Sequence, residues 1–327
     1  MIFIENNNTN PYLNHAVEEH VMNKFNADCF MLWRNEPCIL IGKNQNILAE
    51  INTDYVRKHD ITVVRRMSGG GAVFNDLGNL NFTFIAYKSL NEGIDFKRFT
   101  TPIINALKKL GVTAELSGRN DLTINGKKFS GNAQFHYKGR VVHHGTLLFS
   151  SCMSDLVSTL KVKEIKFSDK SVKSVASRVT NLSEHLNEPM SVVEFKNFLI
   201  NSVIEQQENP QFYELTEEDW KSINEIAKNK YCTNLWNYGY LPKFNFTKEK
   251  KFLGGIVQAN LFLVDDVIHD INLNGDFFSE KDVSKIENLL RGLPFKVATV
   301  KNALSTVNIS EYMNNITLDN LIDVMFA

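Results

Sequence analysis

Two stretches of this chain carry side chains whose types and spacing can do chemistry. The first is Arg65-Arg66-Met67-Ser68-Gly69-Gly70-Gly71-Ala72-Val73-Phe74-Asn75-Asp76, entered from a short β-branched run at 61–64. Three consecutive glycines have no side chains to pack and weaken any regular element. They also let main-chain N–H groups approach a ligand closely and cradle negative oxygen. The arginines beside them are planar, permanently charged donors suited to carboxylate or phosphate. Strand, Arg-Arg, Gly-rich turn, strand therefore reads as an anion pocket, with a plain flexible turn as the alternative. Neither common nucleotide loop is present: no G-x-x-x-x-G-K-[ST] occurs, and Phe74 stands where G-x-G-x-x-G would need its last glycine.

The second stretch, 117–134, folds back at Asn125-Gly126, the strongest short hairpin signal. Asn120 and Asp121 fall on one arm, Lys128 and Ser130 on the other, so an acid and a lysine share a neighbourhood. Amide and carboxylate oxygens at Asn120 and Asp121 suit a hard cation that holds phosphates. Adjacent strand residues face opposite ways, so only one of Lys127 and Lys128 can face a pocket. Lys127 is read as solvated surface charge. Spacing alone leaves Lys128 open between ligand and solvent. His143-His144 lies in a further strand at 141–149. The same alternation keeps both rings from one metal ion, and no H-E-x-x-H is present; one packed and one surface histidine are expected. The basic, serine-rich stretch 161–173 reads as a solvated loop, or as one able to close over an anionic ligand.

The elements that must position these residues follow from periodicity and turn signals. Residues 1–4 read as a strand. Asn10-Pro11 opens a helix running to Phe25. The apolar runs 29–33 and 38–41, joined by a turn cluster at 34–37, read as a hairpin. A short helix at 53–59, a strand at 80–86, and a helix at 96–110 stopped by Gly111 come next. Helices are expected at 153–160, 189–207 and 216–230. The aromatic, turn-rich segment 236–242 and the basic stretch 243–251 read as a linker. Beyond it comes a compact tail, with strands at 256–264 and 267–273 and then helices near 279–290, 299–307 and 318–325.

Composition sets the outer limits. At 327 residues the chain has room for one large domain and a small one, and its 43% hydrophobic and 22% charged content is that of a soluble globular protein. A net charge of −1 gives no overall basic field for nucleic acid or anionic membrane. Four scattered cysteines, Cys29, Cys38, Cys152 and Cys232, form no C-x-x-C pair, which disfavours a zinc ribbon or a disulfide framework and suggests a reducing cytoplasm. Neither a signal peptide nor an apolar run long enough to span a membrane is found. A monomer is the default expectation.

With these residues in view, Arg-Arg-x-Ser-Gly-Gly-Gly-Ala-Val-Phe at 65–74 resembles the signature of the lipoate–protein ligase A family. Gly118-Arg119-Asn120-Asp121 with Gly126-Lys127-Lys128-Phe129-Ser130-Gly131-Asn132-Ala133 resembles its second block. His143-His144-Gly145-Thr146-Leu147-Leu148 resembles a third, and 174–182 a fourth, in the family's order and over roughly residues 1–240. The resemblance implies an α+β fold. A large catalytic domain of mixed, mainly antiparallel sheets flanked by helices, like class II synthetases and biotinyl/lipoyl ligases, would occupy 1–243. A small α+β accessory domain would occupy 250–327.

The implied reaction has two steps. Lipoate and Mg·ATP give lipoyl-AMP and pyrophosphate, and the acyl group then passes to a lysine of a lipoyl domain of a 2-oxoacid dehydrogenase E2 subunit or of glycine-cleavage H protein. By this resemblance Lys128 stabilises charge in both steps. Arg66, Ser68, Gly70, Gly71 and His144 bind lipoate. Val73, Phe74, Asn75, Asn120, Asp121, Lys128 and Ala133 bind ATP, and Asp121 holds Mg²⁺. Asn75 stands where some family members carry histidine, so no acid–base work is assigned to it. The rivals are an octanoyl or lipoyl transferase of the same fold and a non-catalytic lipoate-binding relative. The absence of cysteine between Cys38 and Cys152 counts against a cysteine-dependent transferase. Biotin ligases carry G-R-G-R-x-G, which is absent.

Overall fold

The computed structural model describes residues 1–87, 94–160, 178–239 and 244–326. The expected loop at 161–173, the start of the fourth block at 174–177 and the middle of the linker at 240–243 lie outside the described residues. The first strands are β1 (Ile2–Glu5), β2 (Cys29–Trp33), β3 (Cys38–Ile41), β4 (Thr62–Arg65), β5 (Val73–Asn75) and β6 (Asn79–Tyr87). They are followed by β7 (Glu115–Ser117), β8 (Asp121–Ile124), β9 (Lys127–Tyr137), β10 (Arg140–Leu148) and β11 (Gln211–Glu214). Eight of these form one sheet in the order β11-β1-β2-β6-β10-β9-β8-β7, and β4-β3-β5 form a second, smaller one. Pairing in the large sheet is antiparallel except at β1, which runs parallel to both β2 and β11. The fold is thus α+β with mixed, mainly antiparallel sheets.

One local expectation is corrected. The runs 29–33 and 38–41 are not a hairpin: β2 pairs with β1 and β6, whereas β3 pairs with β4 and β5. Both strands are buried throughout, so neither shows the alternation that would name its partner. The chain crosses from one sheet to the other at the 34–37 turn.

Alternation in β2 divides the interior. Phe30 and Leu32 join Phe82, Phe84, Phe99 and Phe195 on one face of the large sheet. Met31 and Trp33 join Val17, Val21, Phe135 and Tyr231 on the other. The second face is covered by the helix Pro11–Lys24, whose first turn is capped by Asn10 accepting from the Tyr12 and Leu13 N–H groups. This helix carries two residues of the site described below, so its anchorage matters. Near its C-terminal end, Asp219 of the helix Glu217–Ile226 accepts hydrogen bonds from Lys24, from His20 Nε2 at 2.7 Å and from Tyr213 at 2.7 Å, besides capping its own helix through Thr216.

The last three strands, β12 (Phe246–Phe252), β13 (Gly255–Val264) and β14 (Val267–Gly275), form a third, antiparallel sheet. Its apolar face packs on the helices Ser284–Leu290, Val297–Leu304 and Leu318–Phe326 around Ile271, Leu273, Ile286, Leu304 and Leu321. Residues 246–251, read from sequence as linker, are instead most of β12. Its charged, exposed side chains hide an edge strand held by main-chain pairing to β13. The C-terminal unit meets the large one through polar and apolar contacts: Arg119 donates to the Gly254 and Asp276 carbonyls, Gly275 N–H donates to Asn44 O at 2.8 Å, Lys43 pairs with Asp282 at 2.8 Å, and Phe278 packs on Phe96 at 5.3 Å. No helix among the described residues is long and apolar enough to cross a membrane.

Burial alone would raise the Asp219 carboxyl, but the hydrogen bonds from Lys24, Tyr213, Thr216 and His20 outweigh it and hold the group well below the usual carboxylate range. A depressed folded-state value adds stability above the unfolded value near 3.9, and that stability is lost as pH falls. Asp219→Asn is therefore expected to cost about 3 kcal/mol at pH 7. The deficit should shrink as urea melts are moved from about pH 5 toward pH 2. A deficit independent of pH would show that the charge on Asp219 is not what holds this helix pair.

Candidate active site

The glycine-rich loop leaves β4 through the two arginines, and both are buried. Their donors meet protein acceptors. Arg66 donates to Leu40 O at 2.9 Å, Gly69 O at 2.8 Å, Gly71 O at 2.8 Å and Ser68 Oγ at 3.0 Å. Arg65 donates to the carbonyls of Gly42, Lys43 and Gln45, and through Nε to those of Trp236 and Asn237. The guanidinium pair thus folds the loop around itself. Burial pulls both groups down to about 10, which leaves them charged at neutral pH.

Gly70 adopts φ +92°, and a Cβ there would stand 3.0 Å from Arg66 Nη2 and 3.1 Å from the Phe278 ring. Gly69 is tighter still, since its Cβ would meet Phe277 O at 2.3 Å, whereas a Cβ on Gly71 would enter open space.

A buried relay ties the loop to the sheet. Ser68 Oγ lies 2.6 Å from His144 Nε2, and His144 Nδ1 lies 2.8 Å from Glu18 Oε1. Glu18 also accepts from Thr83 at 3.0 Å, and Thr83 accepts from Trp33 Nε1 at 3.0 Å. The carboxylate opposite Nδ1 fixes the hydrogen there, so Nε2 is the atom facing Ser68. Burial alone would raise the Glu18 carboxyl; the charge and hydrogen bond of His144, with His15 and Thr83, hold it below its ordinary value. Serine, histidine and acid stand in the order of a hydrolytic triad. Ser68 is wholly buried and engaged by Arg66 as well, so it is not placed as a nucleophile.

His143 and His144 are both buried, which corrects the expectation of one surface histidine. The reason is that β10 lies between β6 and β9 in a sheet covered on both faces. The rings point to opposite faces, His143 stacking on Phe99 at 5.0 Å.

Between the loop and the sheet lies a cleft open to solvent on one side. Gly70, Gly71 and Val73 form one wall, and Ala133 and His144 form the other. The buried residues His15, Trp33 and Leu40 make the deep end; Asn120 and Lys128 stand at the exposed end. Lys128 Nζ pairs with Asp121 Oδ1 at 2.7 Å, each side chain a little over one third exposed (36% and 37%). Lys127 is exposed to solvent.

Several features set Lys128 in place. The two-residue turn at Asn125-Gly126 places Lys128 opposite Thr123, and a register shift between Leu122 and Thr123 then sets Asp121 opposite Gly131. Thr180 N–H donates to Lys128 O at 3.0 Å. Gly131 leaves room for the amine, since a Cβ there would stand 3.0 Å from Nζ. Asn120 and Asn132 clasp the hairpin by exchanging side-chain-to-carbonyl bonds.

Three residues assigned to the nucleotide are not part of the cleft lining: Asp121, which stands beside it paired with Lys128, and Phe74 and Asn75. Phe74 is packed in the core of the small sheet. Asn75 accepts from Asn35 and Asn81 and donates to Phe74 O. Strand β5 is an edge strand, so what it offers a ligand is main chain. Conversely, Glu18 and His15 belong to the site and were missed. Asn14 and Glu18 are four residues apart and share a buried helix face, a polar signal masked by the apolar residues around it. Among the described residues no group of three His, Cys, Asp or Glu side chains converges. Burial pushes the Cys29 thiol up to about 11 and Cys38 higher still, which makes both poor nucleophiles.

A slot closed by Trp33 and Leu40 and opened beside a lysine–aspartate pair, on an α+β scaffold, has the shape and charge to suit a long acid with its carboxyl end at the charged centre. Residues 10–204 match the lipoyl protein ligase A/B catalytic domain, and residues 241–325 match the bacterial lipoate protein ligase C-terminus. The chain is 45% identical over 331 aligned positions to the lipoate–protein ligase LplJ of Bacillus subtilis (strain 168), covering 100% of both. Its fold is similar to that of P. falciparum LipL1 in complex with lipoate, with a TM-score of 0.76 and 26% identity, covering 99% of this chain and 97% of that one. It is also similar to lipoate–protein ligase A bound with ATP, with a TM-score of 0.62 and 26% identity over 73% of this chain and 98% of that one. The chain therefore belongs to the lipoate–protein ligase family; its activity is that of an ATP-dependent ligase, and the transferase alternative is not favoured.

The glycines give a sharp test of the loop geometry. Gly70→Ala is expected to cost about 2 kcal/mol, because it places a Cβ at positive φ against Arg66. Gly71→Ala should melt within about 0.5 kcal/mol of the parent. Equal melting of the two variants in denaturant would mean the loop is not held as described.

Proposed function

We propose that this enzyme activates lipoate on Mg·ATP and passes the acyl group to a lysine of an acceptor protein, with Lys128 at the reacting centre. The observation that carries this reading is the cleft itself, an enclosed slot ending at Lys128. A carboxylate and a triphosphate repel, so joining them needs fixed positive charge and N–H donors. In the first step a lipoate carboxylate oxygen attacks the α-phosphorus; the P–O bond to pyrophosphate breaks and lipoyl-AMP forms. Lys128 Nζ lies between the two negative groups and stabilises their developing charge.

The glycine loop lends main-chain donors at Gly70 and Gly71. The free edge of β5 at Val73, Phe74 and Asn75 takes the adenine by its main chain. Asn120, Asp121 and Ala133 border the nucleotide, and the Asp121 carboxylate would hold Mg²⁺, which would supply charge neutralisation to the phosphates. Arg66, Ser68 and His144 serve lipoate by holding the wall it lies against.

In the second step the acceptor lysine must attack as the neutral amine, a small fraction given a reference pKa near 10.4. A preorganised acyl-adenylate offsets this. The acceptors are lipoyl domains of 2-oxoacid dehydrogenase E2 subunits or glycine-cleavage H protein. The enzyme works as a cytoplasmic monomer with a catalytic unit at 1–243 and an accessory unit that includes all of β12.

Wild-type protein given lipoate and Mg·ATP is expected to release pyrophosphate, and Lys128→Ala to cut that rate by about 100-fold or more with little change in melting. Equal release by both proteins would remove Lys128 from the centre, and no lipoate-dependent release by the wild type would overturn adenylation.

A further inference from the structure

The deep end of the cleft holds a polar group that the ligase chemistry does not use. His15 sits on the helix Pro11–Lys24, three residues before Glu18, and is 1% exposed. Neither of its ring nitrogens has a hydrogen-bond partner among the described residues. The ring is fixed by aromatic packing, stacked on Tyr231 at 5.7 Å and edge-on to Trp33 at 5.5 Å. Burial, outweighing the nearby Glu18 carboxylate, pulls its value down to about 3, so the imidazole is neutral and presents one donor and one acceptor. Buried polar atoms are nearly always paired, and unpaired ones in a cleft call for a ligand. Trp33 and Leu40 are the apolar residues at this end, and the buried Arg66, Asn81 and His144 line the same cleft with their polar atoms.

An acid whose carboxylate reaches Lys128 lays its far end toward His15. We propose that His15 selects acids whose chain ends in sulfur over plain alkyl acids of the same length. This inference rests on the ligase reading above. A dithiolane sulfur is polarizable and a weak acceptor, so it takes the imidazole N–H and packs favourably against the Trp33 ring. A terminal methyl group offers no such partner and leaves both nitrogens unpaired in a closed pocket. A site built around a hydrogen-bonding group discriminates against the analogue that lacks the complement.

The test compares lipoate with octanoate. Pyrophosphate release measured for each acid should show the kcat/KM preference for lipoate falling roughly fivefold in His15→Leu, with the change residing in KM. An unchanged or increased preference overturns the proposal. Calorimetric titration of both acids without ATP separates it from the ligase reading. If the wild type adenylates neither acid yet binds lipoate over octanoate by a margin that His15→Leu removes, the ligase reading fails and the selection stands. If that margin survives the substitution, or the wild type has none, the selection fails. Thermal melting checks that the variant folds; His15→Phe, which keeps a ring to pack on Tyr231 and Trp33 without the ring nitrogens, replaces it if the leucine variant does not.

Discussion

The site depends on one buried cation. Arg66 follows the end of β4 with its guanidinium inside the turn, bonded to the carbonyls of Gly69 and Gly71 and to that of Leu40 in β3. A buried charge without partners would be prohibitive, and main-chain carbonyls are the acceptors a turn can always supply. The loop closes around the guanidinium because that is how the charge is satisfied, and the closed loop becomes one wall of the cleft. Arg65 performs the same service outward, holding the 42–45 segment and the 236–237 main chain. The wall is therefore rigid from both sides before any ligand arrives, which is the preorganisation that charge stabilisation requires.

The opposite wall obeys the alternation of a strand buried on both faces. In β10 the even-numbered His144 faces the loop and bonds Ser68, while His143 turns to the phenylalanine-rich face and stacks on Phe99. The relay from Ser68 through His144 to Glu18 and Thr83 then ties loop, central strands and first helix into a single hydrogen-bonded body. Networks of this kind are costly when incomplete and specifying when complete. At the exposed end the demand is the reverse. Lys128 and Asp121 keep access to solvent, and a glycine at 131 leaves the amine space to move.

Much of this was legible in the sequence for a physical reason: the loop and the hairpin are local objects. Asn125-Gly126 sets the hairpin by its own turn preference, and the parity of Lys128 and Asp121 follows from it. Arg-Arg-Met-Ser-Gly-Gly-Gly announces a charged turn. What it does not announce is the direction of the guanidinium groups, since a carbonyl and a ligand carboxylate are equally good acceptors for Arg66. Strand partners were less legible. The runs 29–33 and 38–41 are apolar throughout, so their assignment to different sheets is a tertiary outcome. Glu18 and His15 were hidden because a helix facing a polar cavity breaks the rule that buried positions are apolar. Residues 246–251 look solvated because an edge strand with its side chains in water is solvated, and only its main chain is committed.

The seam between the two units has a consequence for how such a chain can change over generations. Its contacts are largely main chain on at least one side: the carbonyls of Gly254 and Asp276 for Arg119, the Asn44 carbonyl for Gly275, and the Phe277 carbonyl against Gly69. A carbonyl is present whatever side chain the residue bears. Side chains along the C-terminal face of the seam can drift without erasing these acceptors, except where the side chain itself makes the contact, as Asp282 does with Lys43 and Phe278 with Phe96. Insertion or deletion of a single residue near 254 or 276 cannot be absorbed in the same way, because it shifts each acceptor off its donor. Lineages of this protein should therefore vary at the seam by substitution and keep its length.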